Sequence, residues 1–142
     1  MVKRSVWLGV LVGWLAQTAL KFVLPVLVFV ALNVLSVATG GAALYEPQAR
    51  NALEPAWLIQ QGAIFAASFL AGILAGLLSP PRAMVVPVAL AVLSLLATFF
   101  EQFPMPLSGP RIALWTLAPC LGVVLGVLAT QLRFRTPRQS CG

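Results

Sequence analysis

Residues 57–78 read WLIQQGAIFAASFLAGILAGLL, residues 79–82 read SPPR, and residues 83–100 read AMVVPVALAVLSLLATFF. The first limb is apolar apart from Gln60, Gln61 and Ser68, and neither limb carries a charge. A helix rises 1.5 Å per residue, so about 20 apolar residues cross the hydrocarbon of a bilayer, and each limb approaches or exceeds that length. The stretch therefore reads as two membrane-spanning helices joined by a proline turn.

The rest of the chain agrees. Of 142 residues, 61% are hydrophobic and 8% are charged, with a mean hydropathy of +0.99. Soluble domains carry roughly a quarter charged residues. The expectation is an all-α integral membrane protein, residues 1–142 forming one membrane domain, a bundle of four transmembrane helices with short loops.

Ser5 to Thr39 is apolar except for Gln17, Thr18, Lys21, Asn33 and Ser36. As one helix it would be about 50 Å long against a hydrocarbon core of roughly 30 Å. A division is expected at Lys21–Pro25, where a charge precedes a residue that removes a helix hydrogen bond. Residues 22–39 then form the first span, and residues 5–20 lie at the inner interface or continue as a bent extension. The basic head and apolar run resemble a signal peptide in outline, but the run is too long and Gln17-Thr18-Ala19 is a poor cleavage site, so an uncleaved anchor is expected. The remaining spans are read as approximately 57–78, 83–100 and 112–132, with Pro119 inside the last.

Orientation follows from the basic residues. With both termini cytoplasmic, Lys3, Arg4, Arg82, Arg133, Arg135 and Arg138 are inside, while Arg50 and Arg111 are outside. That bias satisfies the positive-inside rule and suits a bacterial cytoplasmic membrane. The net charge of +6 thus reads as orientation, because the basic residues sit at span ends and not along a helix face; nucleic-acid binding is set aside.

Ser68, Gly72 and Gly76 recur at four-residue spacing, as do Gly122 and Gly126, and Gly9 and Gly13. Small residues at that spacing let helix backbones approach closely where lipid removes the hydrophobic drive to associate. The favoured reading is contact between the chain's own spans two and four; the alternative is a stripe for a partner or a second copy.

Polar groups at membrane depth form the other candidate set: Gln17, Lys21, Asn33, Gln60 and Gln61. An intramembrane ionisable residue is a functional candidate by default. The simpler reading puts Lys21 at the inner boundary with its amine reaching the headgroups, and gives the amides interhelical hydrogen bonds.

Catalysis is read against. The chain has no His and no Asp, which removes Ser-His-Asp and Cys-His systems and histidine ligation of metals. Cys120 and Cys141 are separated by the depth of a span and cannot pair, and Cys120 reads as a small packer. No catalytic, cofactor or metal site is expected. Two functions remain: a non-catalytic accessory subunit that packs against a membrane complex or itself, with lipid and a membrane-protein partner or second copy as neighbours; or a small transporter or channel using the polar residues of spans one and two. The surroundings of Lys21 separate them.

Overall fold

The computed structural model describes residues 5–39, 55–80, 83–102 and 110–133. They form α1 (Val6–Ala38), α2 (Pro55–Leu78), α3 (Val85–Gln102) and α4 (Pro110–Arg133), with no strand among them. The basic ends, with Cys141, lie outside the described residues. Three helices are long and apolar enough to cross a membrane: α1, α2 over Trp57–Leu78 and α4 over Ile112–Leu132. The fourth, α3, has 18 residues, about 27 Å at the helical rise.

Proline punctuates these helices where the backbone tolerates it. Pro55 and Pro110 open α2 and α4, where the missing N–H would have had no intrahelical partner. Pro87 falls in the first turn of α3, and is harmless for the same reason. Pro25 and Pro119 are different, because both lie inside helices that run on through them.

The expected division of α1 at Lys21–Pro25 is therefore absent. One helix of 33 residues runs from Val6 to Ala38, and its first half is the part held by the other helices. Gly9, Gly13 and Gln17 are buried along one face. A Cβ built on Gly9 would strike the Ser79 side chain, and one on Gly13 would lie 2.7 Å from the Ala75 Cβ and 3.1 Å from Leu90. Residues 5–20 are thus a packed element and not a surface extension. The reason is the four-residue stripe of small groups, which lets α1 lie close against α2 from the Ser5 N–H, bonded to the Leu78 carbonyl at 3.2 Å, upward.

The helices surround a common axis in the order α1, α2, α4, α3, with α2 and α3 diagonally opposed. The two helices joined by the proline turn, α2 and α3, therefore scarcely touch. Leu90 meets Gly13 and Ser94 meets Gln17, so α3 runs parallel to α1. Gly122 meets Phe65, Gly126 meets Gly72 and Thr130 meets Gly76, so α4 runs parallel to α2. The two pairs are antiparallel to one another.

Packing is inside-out relative to a soluble protein. The core at the Ser5 end is Ala75, Val86, Leu90, Val123 and Val127. Buried beside small and β-branched residues are Ser68, Ser79, Ser94, Thr98 and Thr130, and the larger side chains Leu58, Leu70, Leu77, Val88, Leu95 and Phe99 point outward. Ser94 and Thr98 satisfy themselves on carbonyls one turn back, Leu90 O at 2.8 Å and Ser94 O at 2.8 Å, as buried hydroxyls in helices do. So much outward apolar surface is incompatible with water and suits lipid. The architecture is that of a membrane protein.

Candidate functional site

The small-residue stripes meet each other. A Cβ on Gly72 would strike the Val123 carbonyl oxygen, and one on Gly76 would strike Thr130 Oγ1. On Gly122 it would lie 2.7 Å from the Phe65 carbonyl oxygen and 3.0 Å from the Ser68 Cβ; on Gly126 it would strike the Phe69 carbonyl and come 3.0 Å from the Gly72 Cα. Ser68, Gly72 and Gly76 of α2 and Gly122 and Gly126 of α4 thus line one backbone-to-backbone seam, which no larger residue could enter without parting the helices.

Above the α1–α2 contact the small residues give way to an amide. Gln17, 3% exposed, donates from Nε2 to Ser68 Oγ at 3.2 Å and accepts at Oε1 from Ser94 Oγ at 2.9 Å. One side chain of α1 therefore ties α2 to α3 across the axis. Ser94 is within donating distance of both Gln17 Oε1 and the Leu90 carbonyl, and its single proton serves one at a time.

Beyond this crosslink, towards the Trp57 end, the four helices enclose a cavity of about 390 Å³. Gln17 and Ser94 form its floor, Lys21, Gln60, Trp14 and Trp115 its walls, and all four helices contribute. Lys21 is half-buried and stands level with Ile64 of α2 and Ala97 of α3. Counted along α2, that level lies about 10 Å from Trp57 and about 21 Å from Leu78. The packed first half of α1 carries Lys21 well up the bundle, away from the Ser5 end.

The walls include both internal prolines, Pro25 and Pro119. A proline in a helix leaves the carbonyl four residues back without its backbone donor. Those carbonyls belong to Lys21 and Trp115, both wall residues. Charge, amide and interrupted backbone converge at one depth, while the opposite half of the bundle is closely packed.

Of the five polar candidates, Gln17, Lys21 and Gln60 share this cavity. Asn33 does not line it and donates to the Phe29 carbonyl of its own helix at 2.8 Å. Gln61 does not line it either; it is 5% exposed and neither amide atom has a hydrogen-bond partner. Cys120 is half-buried with its Sγ 3.7 Å from the Ala91 carbonyl, between α4 and α3. Ser94 of the floor and Trp115 of the wall are among the lining residues that sequence reasoning missed. The Ser94–Thr98 pair, four residues apart in an otherwise apolar helix, was the available signal for the first; no pattern marked the second.

No protein-family model matches the chain, and neither a curated protein nor a solved structure is significantly similar to it. The reading of function accordingly rests on the cavity.

Proposed function

We propose that this protein is a non-catalytic, multi-pass membrane protein that binds, and carries across or within the membrane, a small solute held at the Lys21 cavity. The observation that carries the reading is the position of Lys21, the one charged residue between the helix ends, in a cavity shared with Gln17, Gln60 and Ser94. An ammonium at membrane depth is costly unless water or a ligand solvates it. A cavity that stops at a packed plug has the form of a carrier site, whereas a channel needs a continuous path. On the positive-inside orientation, with α3 as a fourth span, the cavity lies nearer the outer face than the inner one.

Thiol accessibility tests this. In a background of Cys120→Ser and Cys141→Ser, Ala97→Cys in the wall should react with a membrane-impermeant maleimide added from the Trp57 side. Leu90→Cys, one turn below Ser94 of the floor and fully buried, should not. An unreactive Ala97→Cys would mean a dry void and would remove the solute-binding reading.

A second reading, the accessory subunit, is favoured by the far half of α1. In the register set by Gly13–Leu90 and Gln17–Ser94, the end of α3 falls level with Pro25. Beyond it Val26, Val30, Val34 and Val37 stand exposed, a run that a second copy or a partner helix would cover. Disulfide crosslinking between copies through Val34→Cys tests that reading.

A further inference from the structure

We propose that the occupant of this cavity is a small amphipathic carboxylate, with its carboxylate at Lys21 and its apolar body against the apolar wall that includes Phe22, Ile64 and Trp115. The inference rests on the cavity being a solute site, and goes on to name the chemical class. Charge is the first argument. Among the described residues that line it, one is basic and none is acidic, so they contribute one cation and no anion. A single carboxylate neutralises it, whereas a cation would add like charge and a doubly charged phosphate would leave an excess negative charge at depth.

Donor accounting is the second argument. The Thr18 hydroxyl donates to the Trp14 carbonyl at 2.9 Å. The Ser94 proton is used on Gln17 or Leu90, and one of the two Gln17 amide N–H groups is used on Ser68. Among the described lining residues, the donors left to a ligand are the Lys21 ammonium, the Gln60 amide, the second N–H of Gln17 and the indole N–H groups of Trp14 and Trp115, against the Lys21 and Trp115 carbonyls freed by the prolines as acceptors. A carboxylate, an acceptor only, suits a wall richer in donors, and its hydrogen bond to the ammonium is of the stronger, charge-assisted kind.

Shape is the third. At about 30 Å³ per non-hydrogen atom, the share of one water in the liquid, a cavity of about 390 Å³ holds on the order of a dozen such atoms. Trp14, Trp115, Phe22 and Ile64 make most of its wall apolar or aromatic, which fits a compact hydrocarbon or aryl body and not a sugar or a hydrated inorganic ion. Gln17, fixed by two serines, closes the floor behind it.

Calorimetric titration of the detergent-solubilised full-length chain with phenylbutyrate, phenylbutanol and phenylbutylamine separates head-group chemistry on one carbon frame. Phenylbutyrate should bind one to one, and Lys21→Gln should weaken it by about tenfold or more, the scale of one charge-assisted contact. Lys21→Arg should keep most of the affinity, and phenylbutanol should bind weakly and equally to the native protein and Lys21→Gln. Equal phenylbutyrate affinity in those two proteins, or preference for the amine, overturns the carboxylate. So does failure of all three probes to bind while Ala97→Cys still reacts, which leaves a solute site of another class; an unreactive Ala97→Cys instead removes the site itself. Circular dichroism checks that Lys21→Gln folds. If it does not, Gln60→Leu takes its place, with a several-fold loss expected and an unchanged affinity overturning the proposal. Native mass spectrometry distinguishes a lipid source: phosphatidylglycerol retained and not displaced by phenylbutyrate would make this a phospholipid headgroup site and overturn the free carboxylate.

Discussion

Gln17 of α1 and Ser94 of α3 lie 2.9 Å apart, oxygen to oxygen, although 77 residues separate them in the chain. The same amide reaches Ser68 of α2, so a single residue holds three helices in register at the boundary between packed core and cavity. Interhelical hydrogen bonds in membranes are worth about 0.6 kcal/mol on average and about 1.7 at most. A double-mutant cycle of Gln17→Ala and Ser94→Ala, read by reversible unfolding in mixed micelles, should return a coupling in that range. Additive effects would mean that the two side chains do not bond in the folded protein.

The seam between α2 and α4 makes a sharper prediction about size. A Cβ on Gly126 strikes the Phe69 carbonyl, whereas a Cβ on Gly62 finds nothing within 4 Å. Gly62→Ala should therefore be neutral or stabilising by up to about 1 kcal/mol, the difference in helix propensity. Gly126→Leu should part the helices and lower the detergent-unfolding midpoint strongly, and Gly72→Leu should do the same. Retained stability in both leucine variants would mean that α2 and α4 do not meet through this stripe.

How much of this was legible in the sequence depended on whether a local pattern carried the information. The lengths of α2 and α4 follow from apolar runs, and their mutual seam from Gly72, Gly76, Gly122 and Gly126 at helical spacing. The same device at Gly9 and Gly13, continued by Gln17, marked the packed half of α1. It was overruled by two stronger local signals, the charge of Lys21 and the helix-breaking tendency of Pro25, because 33 residues exceed one bilayer. Neither signal breaks the helix: Pro25 sits inside a continuous α1, and Lys21 lines a cavity with Gln17, Gln60 and Ser94. Neighbourhood across the axis was not legible at all. Adjacency in sequence suggests that α2 packs on α3, yet the two are diagonal, and so the floor of the cavity, which needs Ser94 beside Gln17, could not be assembled from spacing.

Orientation is testable independently of any ligand. With Cys120 and Cys141 replaced by serine, single cysteines near Arg50 and Pro106 should label from outside intact cells, and those near Arg82 and Arg138 should label only after permeabilisation. Labelling near Arg82 from outside would invert the protein or remove α3 as a span.

Two adjacent glutamines should behave in opposite ways. Gln60 lines the cavity, while Gln61 is buried with both amide atoms unpaired. Gln61 lies on the α2 face that also carries Phe65 and Phe69, whose carbonyls face Gly122 and Gly126 of α4. One turn above that contact, it is level with Pro119. A buried polar group without a partner destabilises by about 1–3 kcal/mol. Methionine matches glutamine in length and asks for no hydrogen bond. Gln61→Met should therefore raise the unfolding free energy in mixed micelles by about 1 kcal/mol, and should leave phenylbutyrate affinity unchanged, because Gln61 is not in the wall. Gln60→Met should do the reverse, costing little stability and weakening the ligand. A loss of stability in Gln61→Met would show that the amide is engaged in the folded protein, with the Trp115 carbonyl freed by Pro119 as the acceptor the helix geometry offers.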